Sequence, residues 1–345
     1  VEAAYRKYLD PLLISRLANL ELKARFVVEG FIAGLHMSPY HGFSVEFAEH
    51  RQYMPGDDLK YLDWKVLGRT DRYYIKRFIE ETNLKSYLIL DASRSMAFSS
   101  TDSPLSRGEL KGVVQSFRKF FKRGGEPAAR NREGAVHDSK REPLPGKKII
   151  SKFEYATYLA GALSVLMHFQ KDAAGLVVYD EEVNSYIPPK ATSQNLKLIL
   201  THLSNTTAKG KTNTAWCLNS VAEKIKRRGL VIIFSDLFDD QQAVINSLKH
   251  FRYKRNEVIV FQILDPLEMS FAIDSPTIFK DMETEKELLS QPLSVIKSYQ
   301  EAVRTFINTY KTACRSNNIE YVLLSTQTPF DTALLEYLNK RKHLH

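Results

Sequence analysis

The stretch Asp91-Ala92-Ser93-Arg94-Ser95 sets one carboxylate and two hydroxyls at alternate positions, straight after the apolar run "SYLIL". Carboxylate and hydroxyl oxygens are hard ligands, suited to Mg2+ or Mn2+ and not to zinc. Two further oxygens lie along the chain. Thr212, in "KGKTN", opens a helical segment after a glycine-bearing turn, and Asp236, in "FSDLFDD", ends another apolar run. If Asp91 and Asp236 approach to about 4 Å, they repel by about 4 kcal/mol at an effective dielectric near ~20. Protonation of one acid, an intervening water or a divalent cation would relieve that. Two carboxylates on one dication leave a nearly neutral site, and an octahedral Mg2+ then has room for water or an incoming carboxylate. The competing reading is that Ser93 and Ser95 cap a helix and Asp91 is an ordinary strand-end acid.

The elements that must position these groups follow a regular pattern. Apolar runs rich in Val, Ile and Leu occur at 86–91, 173–180, 229–236, 257–265 and 319–325. Helical periodicity occupies 152–170, 212–228, 239–251, 294–316 and 329–342, with apolar residues at 153, 156, 160, 163 and 167 in the first of these. Continuous apolar strands alternating with helices predict an α/β fold: a doubly wound, mostly parallel sheet with helices on both faces. Four of the runs end in acids, Asp91, Asp180, Asp236 and Asp265. In open α/β sheets, ligands bind beyond the carboxyl ends of the strands, where strand order reverses. The domain reading is a 1–84 subdomain, helical over 1–35 and β-rich over 41–81, followed by an 85–345 sheet domain.

Within the sheet domain, 104–150 reads as a flexible insertion. It is rich in Gly, Pro and charge, and its twelve basic residues outnumber five acids, so it carries most of the chain's net charge of +9. Such a segment buries too little apolar surface to offset its ordering entropy. Leu110, Val113, Val114, Phe117 and Phe121 nevertheless recur at helical spacing, which predicts a short helix within 108–122. Binding of nucleic acid or an anionic membrane by the insertion is a third reading, but no basic helix with interleaved aromatics accompanies it elsewhere, so there is no strong nucleic-acid signal.

Several chemistries lack their signatures. The nine histidines show no His-Glu-x-x-His spacing. There is no Gly-x-Ser-x-Gly before a helix and no Gly-x-x-x-x-Gly-Lys-Ser/Thr. A haloacid-type phosphatase would want an Asp where Ser93 stands. In "PGDDLKYLDWK", Asp57 and Asp58 read as turn-shaping residues, one of them paired with Arg51 or Arg69, in preference to a nucleolytic metal cluster of Asp57, Asp58 and Asp63. Cys217 and Cys314 have no metal spacing and read as buried thiols. The longest apolar stretch, 158–167, is too short to span a bilayer, and charges interrupt the first residues, so the expectation is a cytoplasmic protein with no transmembrane segment.

The order Asp91-x-Ser93-x-Ser95, Thr212, Ser235-Asp236 resembles the metal-ion-dependent adhesion site of von Willebrand factor type A domains. The motifs "GFSVEF", "RQYMPGDDLKYLDW", "GRTDRYYIKRFIEE" and "LILDASRSM" further resemble the domain of unknown function 58 family, over about residues 5–340 less the insertion. The resemblance implies a type A, Rossmann-type fold in which Asp91, Ser93, Ser95, Thr212 and Asp236 hold Mg2+ (or Mn2+) and a partner's acidic side chain completes the shell. It also implies partnership with a MoxR-type AAA+ ATPase or its client, in chaperone-like assembly or maturation. Two departures stand out: Leu237 sits where many type A domains have Gly, and the insertion follows the Asp-x-Ser-x-Ser loop directly, where it would cover or gate the site. The expected function is a non-enzymatic, cation-dependent protein-binding module. The alternative is a Mg2+-dependent hydrolase or nuclease using the same residues, which would need a general base and charge-stabilising groups.

Overall fold

The computed structural model describes residues 10–15, 17, 19–37, 50–52, 68, 74–76, 84–100, 109–111, 150–270, 277–280, 287–290 and 292–342. Its centre is a six-stranded sheet. The strands are β1 (Lys85–Asp91), β2 (Ala173–Tyr179), β3 (Val183–Lys190), β4 (Leu230–Ser235), β5 (Glu257–Leu264) and β6 (Glu320–Ser325). Their spatial order is β3-β2-β1-β4-β5-β6. All neighbours are parallel except β3, which runs antiparallel to β2. Chain order reverses on either side of β1, so the doubly wound switch point lies between β1 and β4.

Helices cover both faces because each inner strand alternates between two apolar cores. Leu88 and Leu90 enter one core, Tyr87 and Ile89 the other; Leu230 and Ile232 join the first, Val231 and Ile233 the second. The first core is covered by α1 (Leu20–Met37), α2 (Lys152–Phe169), α3 (Ser193–Asn205) and α7 (Asp331–Lys342). The second is covered by α4 (Thr214–Lys224), α5 (Gln241–Tyr253) and α6 (Pro292–Ser316). Strands buried on both sides lose polar alternation, which is why their sequences read as unbroken apolar runs.

In α1, Ala24, Val27, Val28 and Phe31 recur at i, i+3, i+4 and i+7 and are buried in the first core. Residues 20–37 thus share the core of the sheet they precede. The β-rich expectation for 41–81 meets an antiparallel pair, His50–Gln52 with Tyr74–Lys76. Asp57, Asp58 and Asp63 lie outside the described residues.

The helix predicted within 108–122 is not formed at Glu109–Lys111. Those three residues are a strand, parallel to Thr277–Lys280, which pairs in turn with Glu287–Ser290. A neighbouring strand edge offers backbone partners that outweigh the weak helical periodicity of so short a segment. The other residues of the insertion lie outside the described set, except Ile150, which is buried in the first core. Among the described residues, no helix is long and apolar enough to cross a membrane.

Candidate metal centre

The site forms where β1 and β4 end side by side. Asp91 closes β1, and Ser235 closes β4 with Asp236 next to it. Asp91, Ser93, Ser235 and Asp236 are wholly buried, and Ser95 nearly so. Beyond Asp91 the chain turns tightly into a short helical turn, Arg94–Ala97. The Asp91 Oδ1 atom accepts the Ser93 backbone N–H at 2.9 Å, which folds the loop back over the strand end.

The Ser93 side chain does not make the contact of a cap. Ser93 occupies the cap position of the Arg94–Ala97 turn, yet its side chain makes no capping hydrogen bond. Its Oγ lies 3.1 Å from the Ser95 Oγ instead, both hydroxyls being buried. Two adjacent buried hydroxyls thus stand beside a carboxylate.

The loop that carries Thr212 is tied to the Asp91 loop through its backbone. Ser93 and Gly210 form a β-bridge. Arg94 N–H donates to the Gly210 carbonyl at 2.7 Å, and Lys209 N–H donates to the Ala92 carbonyl at 3.1 Å. The half-buried Thr212 stands two residues beyond that tether and two before the start of α4. Gly210 is required by close approach: a Cβ there would lie 2.4 Å from the Asp180 carboxyl carbon and 2.6 Å from its Cβ.

The Asp91 Oδ2 atom accepts the Ser235 hydroxyl at 2.6 Å and the Tyr179 phenol at 3.3 Å. Ser235 Oγ also accepts the Leu237 N–H at 2.9 Å. Burial first, and the nearby Asp236 second, lift the Asp91 pKa from 3.8 to about 6; the Ser235 and Ser93 hydrogen bonds oppose this. Burial and the Asp91 charge push the Tyr179 phenol upward, so it stays a donor.

Asp236 is tied differently. Its Oδ1 accepts the Phe238 N–H at 3.1 Å, and its carbonyl accepts the Gln262 side chain at 2.9 Å. Its Oδ2 accepts the Lys152 ammonium at 2.8 Å, and the same ammonium donates to Glu268 Oε1 at 2.7 Å. All three side chains are buried. Burial alone would lower the Lys152 pKa, but the charges of Asp236 and Glu268 outweigh it, so the lysine stays cationic. Burial lifts Glu268 to about 7 against the pull of Lys152, with Asp236 adding to the lift. Lys152 is the first residue of α2, fixed by a capping box in which Ser151 Oγ accepts the Glu154 N–H and the Glu154 carboxylate accepts the Ser151 N–H.

The donor set fits a small hard dication. Asp91, Ser93 and Ser95 converge; Asp236 stands close enough to raise the Asp91 pKa; the Thr212 loop is bound to Ser93. Among the described residues, no three His, Cys, Asp or Glu side chains gather as a metal cluster. Beside it opens a groove of about 610 Å³ lined by Asp180, Glu181, Glu182, Gly210 and the exposed Trp216.

A family model described as "Protein of unknown function DUF58" matches residues 49–120 and 135–315. The chain belongs to the DUF58 family. It is 21% identical over 280 residues to Uncharacterized protein Rv1480 of Mycobacterium tuberculosis, covering 80% of this chain and 72% of that one. The same figures hold for Uncharacterized protein Mb1516 of Mycobacterium bovis. Among solved structures, this DUF58 chain is similar to the conserved hypothetical protein BatB from Bacteroides thetaiotaomicron, with 13% identity, a TM-score of 0.40, and coverage of 74% of this chain and 98% of that one. It is also similar to the SpRpn10 VWA domain, with 11% identity, a TM-score of 0.33, and coverage of 74% and 95%.

Two features of this DUF58 site were not legible in sequence. Lys152 and Glu268 contact the predicted ligand Asp236, or a group that touches it, from 84 and 116 residues away along the Lys152 pairings. The only local sign was a lysine opening an otherwise apolar helix. Leu237, the departure from Gly, adopts φ 60°, a left-handed conformation that disfavours a branched side chain. Its buried side chain in the second core and the Tyr310 phenol donating to its carbonyl at 3.1 Å hold it there.

Proposed function

We propose that the chain is a non-enzymatic binding module that holds Mg2+ (or Mn2+) at Asp91, Ser93, Ser95, Thr212 and Asp236 and uses it to bind a carboxylate on a protein partner. The observation that carries this reading is the buried Ser93–Ser95 hydroxyl pair beside Asp91 at the sheet's switch point. A bound cation supplies a positive centre to which an acidic side chain adds as a further ligand. The protein's part is to hold the oxygens in place: Ser235 and Tyr179 orient Asp91, and the Gly210 bridge holds the Thr212 loop. The acidic groove beside the site favours a partner whose carboxylate is flanked by basic residues, with Trp216 available for cation–π contact.

The alternative, a Mg2+-dependent hydrolase or nuclease, needs a general base. Lys152 is held cationic between two acids, and both oxygens of Asp91 already accept hydrogen bonds, so neither is placed for that work. The family resemblance supports a MoxR-type AAA+ ATPase, or its client, as the partner, in chaperone-like assembly or maturation. The test is titration of such an ATPase with wild type, Asp91→Ala and Ser93→Ala at one fixed Mg2+ concentration, so that the ATPase's own metal demand is unchanged. Binding by wild type alone is the expected result. Equal binding by all three would overturn the reading, and phosphodiester hydrolysis lost in Asp91→Ala would replace it with the enzymatic one.

A further inference from the structure

Lys152 is the unexpected group at this site. A fully buried ammonium is uncommon, and here it is seated by two fully buried carboxylates. Glu268 is itself fixed: its Oε2 accepts the Asp265 N–H at 2.9 Å, and its carbonyl accepts the Tyr299 phenol at 2.9 Å. The Lys152 stem is fixed too, since its backbone N–H donates to the Phe98 carbonyl at 3.2 Å and its ammonium lies 5.0 Å from the Phe238 ring centre. Lys152 therefore cannot swing away without breaking several buried contacts. Each carboxylate oxygen of Asp236 thus already accepts one hydrogen bond, one from the Phe238 N–H and one from the ammonium, whose charge offsets that of the carboxylate.

We propose that Lys152 is a positioning residue that lowers the divalent-cation affinity of the Asp91-Ser93-Ser95 centre, by pairing with Asp236 so that this ligand holds the cation through water and with its charge offset. The inference rests on the cation reading above and deepens it. A dication entering beside Ser93 and Ser95 is repelled by the ammonium and draws less on Asp236, whose charge is already paired. The centre alone then binds its cation weakly, and a carboxylate from the partner supplies the missing negative charge. Cation and partner bind together, so occupancy of the centre reports the partner instead of the ambient Mg2+ level.

The test is Mn2+ binding to the full chain, by calorimetry and by the electron paramagnetic resonance signal of free Mn2+. Four proteins are compared: wild type, Lys152→Met, the double variant Lys152→Met/Glu268→Gln, and Asp91→Ala. The double variant keeps the formal charge of the lysine–acid group and so avoids two facing, unpaired carboxylates. Removing a like charge this close in a buried site is expected to tighten Mn2+ binding by about tenfold or more in both lysine variants. Damage to the fold would not tighten it. A variant that is unfolded in EDTA and folds on adding Mn2+ also supports the proposal. Unchanged or weaker Mn2+ binding in the lysine variants, or failure of both to fold at saturating Mn2+, overturns it. If wild type binds Mn2+, Asp91→Ala does not, and the lysine variants match wild type, only the Lys152 inference falls. If none of the four binds Mn2+, the cation reading falls with it.

Discussion

Replacing Asp91 with Asn separates the cost of burying its charge from its use as a cation ligand. In the folded protein its pKa is about 6, raised from 3.8 by burial and then by Asp236. Between those values the folded state keeps a proton that the unfolded state has lost. Stability from this group is therefore full below about pH 4 and is lost as pH rises through about 6. A shift of roughly two units corresponds to about 3 kcal/mol of destabilisation above that window. Asn carries no charge and escapes this; its oxygen can accept the Ser93 N–H, but its NH2 cannot accept, so the Ser235 and Tyr179 hydroxyls must turn from donors into acceptors, at a loss of about 1 kcal/mol. Asp91→Asn should then be more stable than wild type by about 2 kcal/mol at about pH 8 in EDTA, and no more stable at about pH 4. Mg2+ should reverse the order. At about a hundred times its dissociation constant, a ligand of the native state adds about 3 kcal/mol, and only wild type should gain it. Thermal melts of both proteins, in EDTA and in Mg2+ at both pH values, read all four quantities. A variant that melts below wild type in EDTA at the higher pH, or that gains as much from Mg2+, would refute the reasoning.

Two further substitutions probe what positions the centre. Gly210→Ala drives a Cβ into Asp180 and should loosen the bridge to Ser93; its Mg2+-induced rise in melting temperature should fall by at least about half, and an unchanged rise would contradict the tether. Leu237→Gly relieves the left-handed backbone by about 1–2 kcal/mol but empties a buried leucine site worth about 3–5 kcal/mol, so denaturant unfolding should show a net loss of about 1–4 kcal/mol. A glycine variant as stable as wild type would show that packing does not hold that turn.

The parallel strands were legible because burial on both faces removes polar alternation and leaves runs such as "LVIIFS" and "EVIVFQIL". Their terminal acids marked the carboxyl edge, where Asp91 closes β1 and Asp236 follows β4, with Ser93 and Ser95 in the loop beyond Asp91. Strand β3, "VNSYIPPK", was missed because it alternates exposed and buried residues and carries two prolines, which only an edge strand tolerates. Helix α3 follows it and was missed with it. Lys152 was missed for another reason. Its neighbours in sequence describe a helix start, whereas its partners arrive from the ends of β4 and β5, and no local pattern encodes such a long-range ion group. Leu237 was visible as a departure from Gly, but its positive φ is a property of the fold around it.

The most direct test of the central claim is anomalous diffraction from crystals soaked in MnCl2. The account predicts one strong manganese peak at the β1–β4 switch point, about 2.2 Å from the Ser93 and Ser95 hydroxyl oxygens, with Asp236 linked to it through water. A manganese peak held by other residues, or no peak while Asp91, Ser93 and Ser95 keep the arrangement described above, would contradict it.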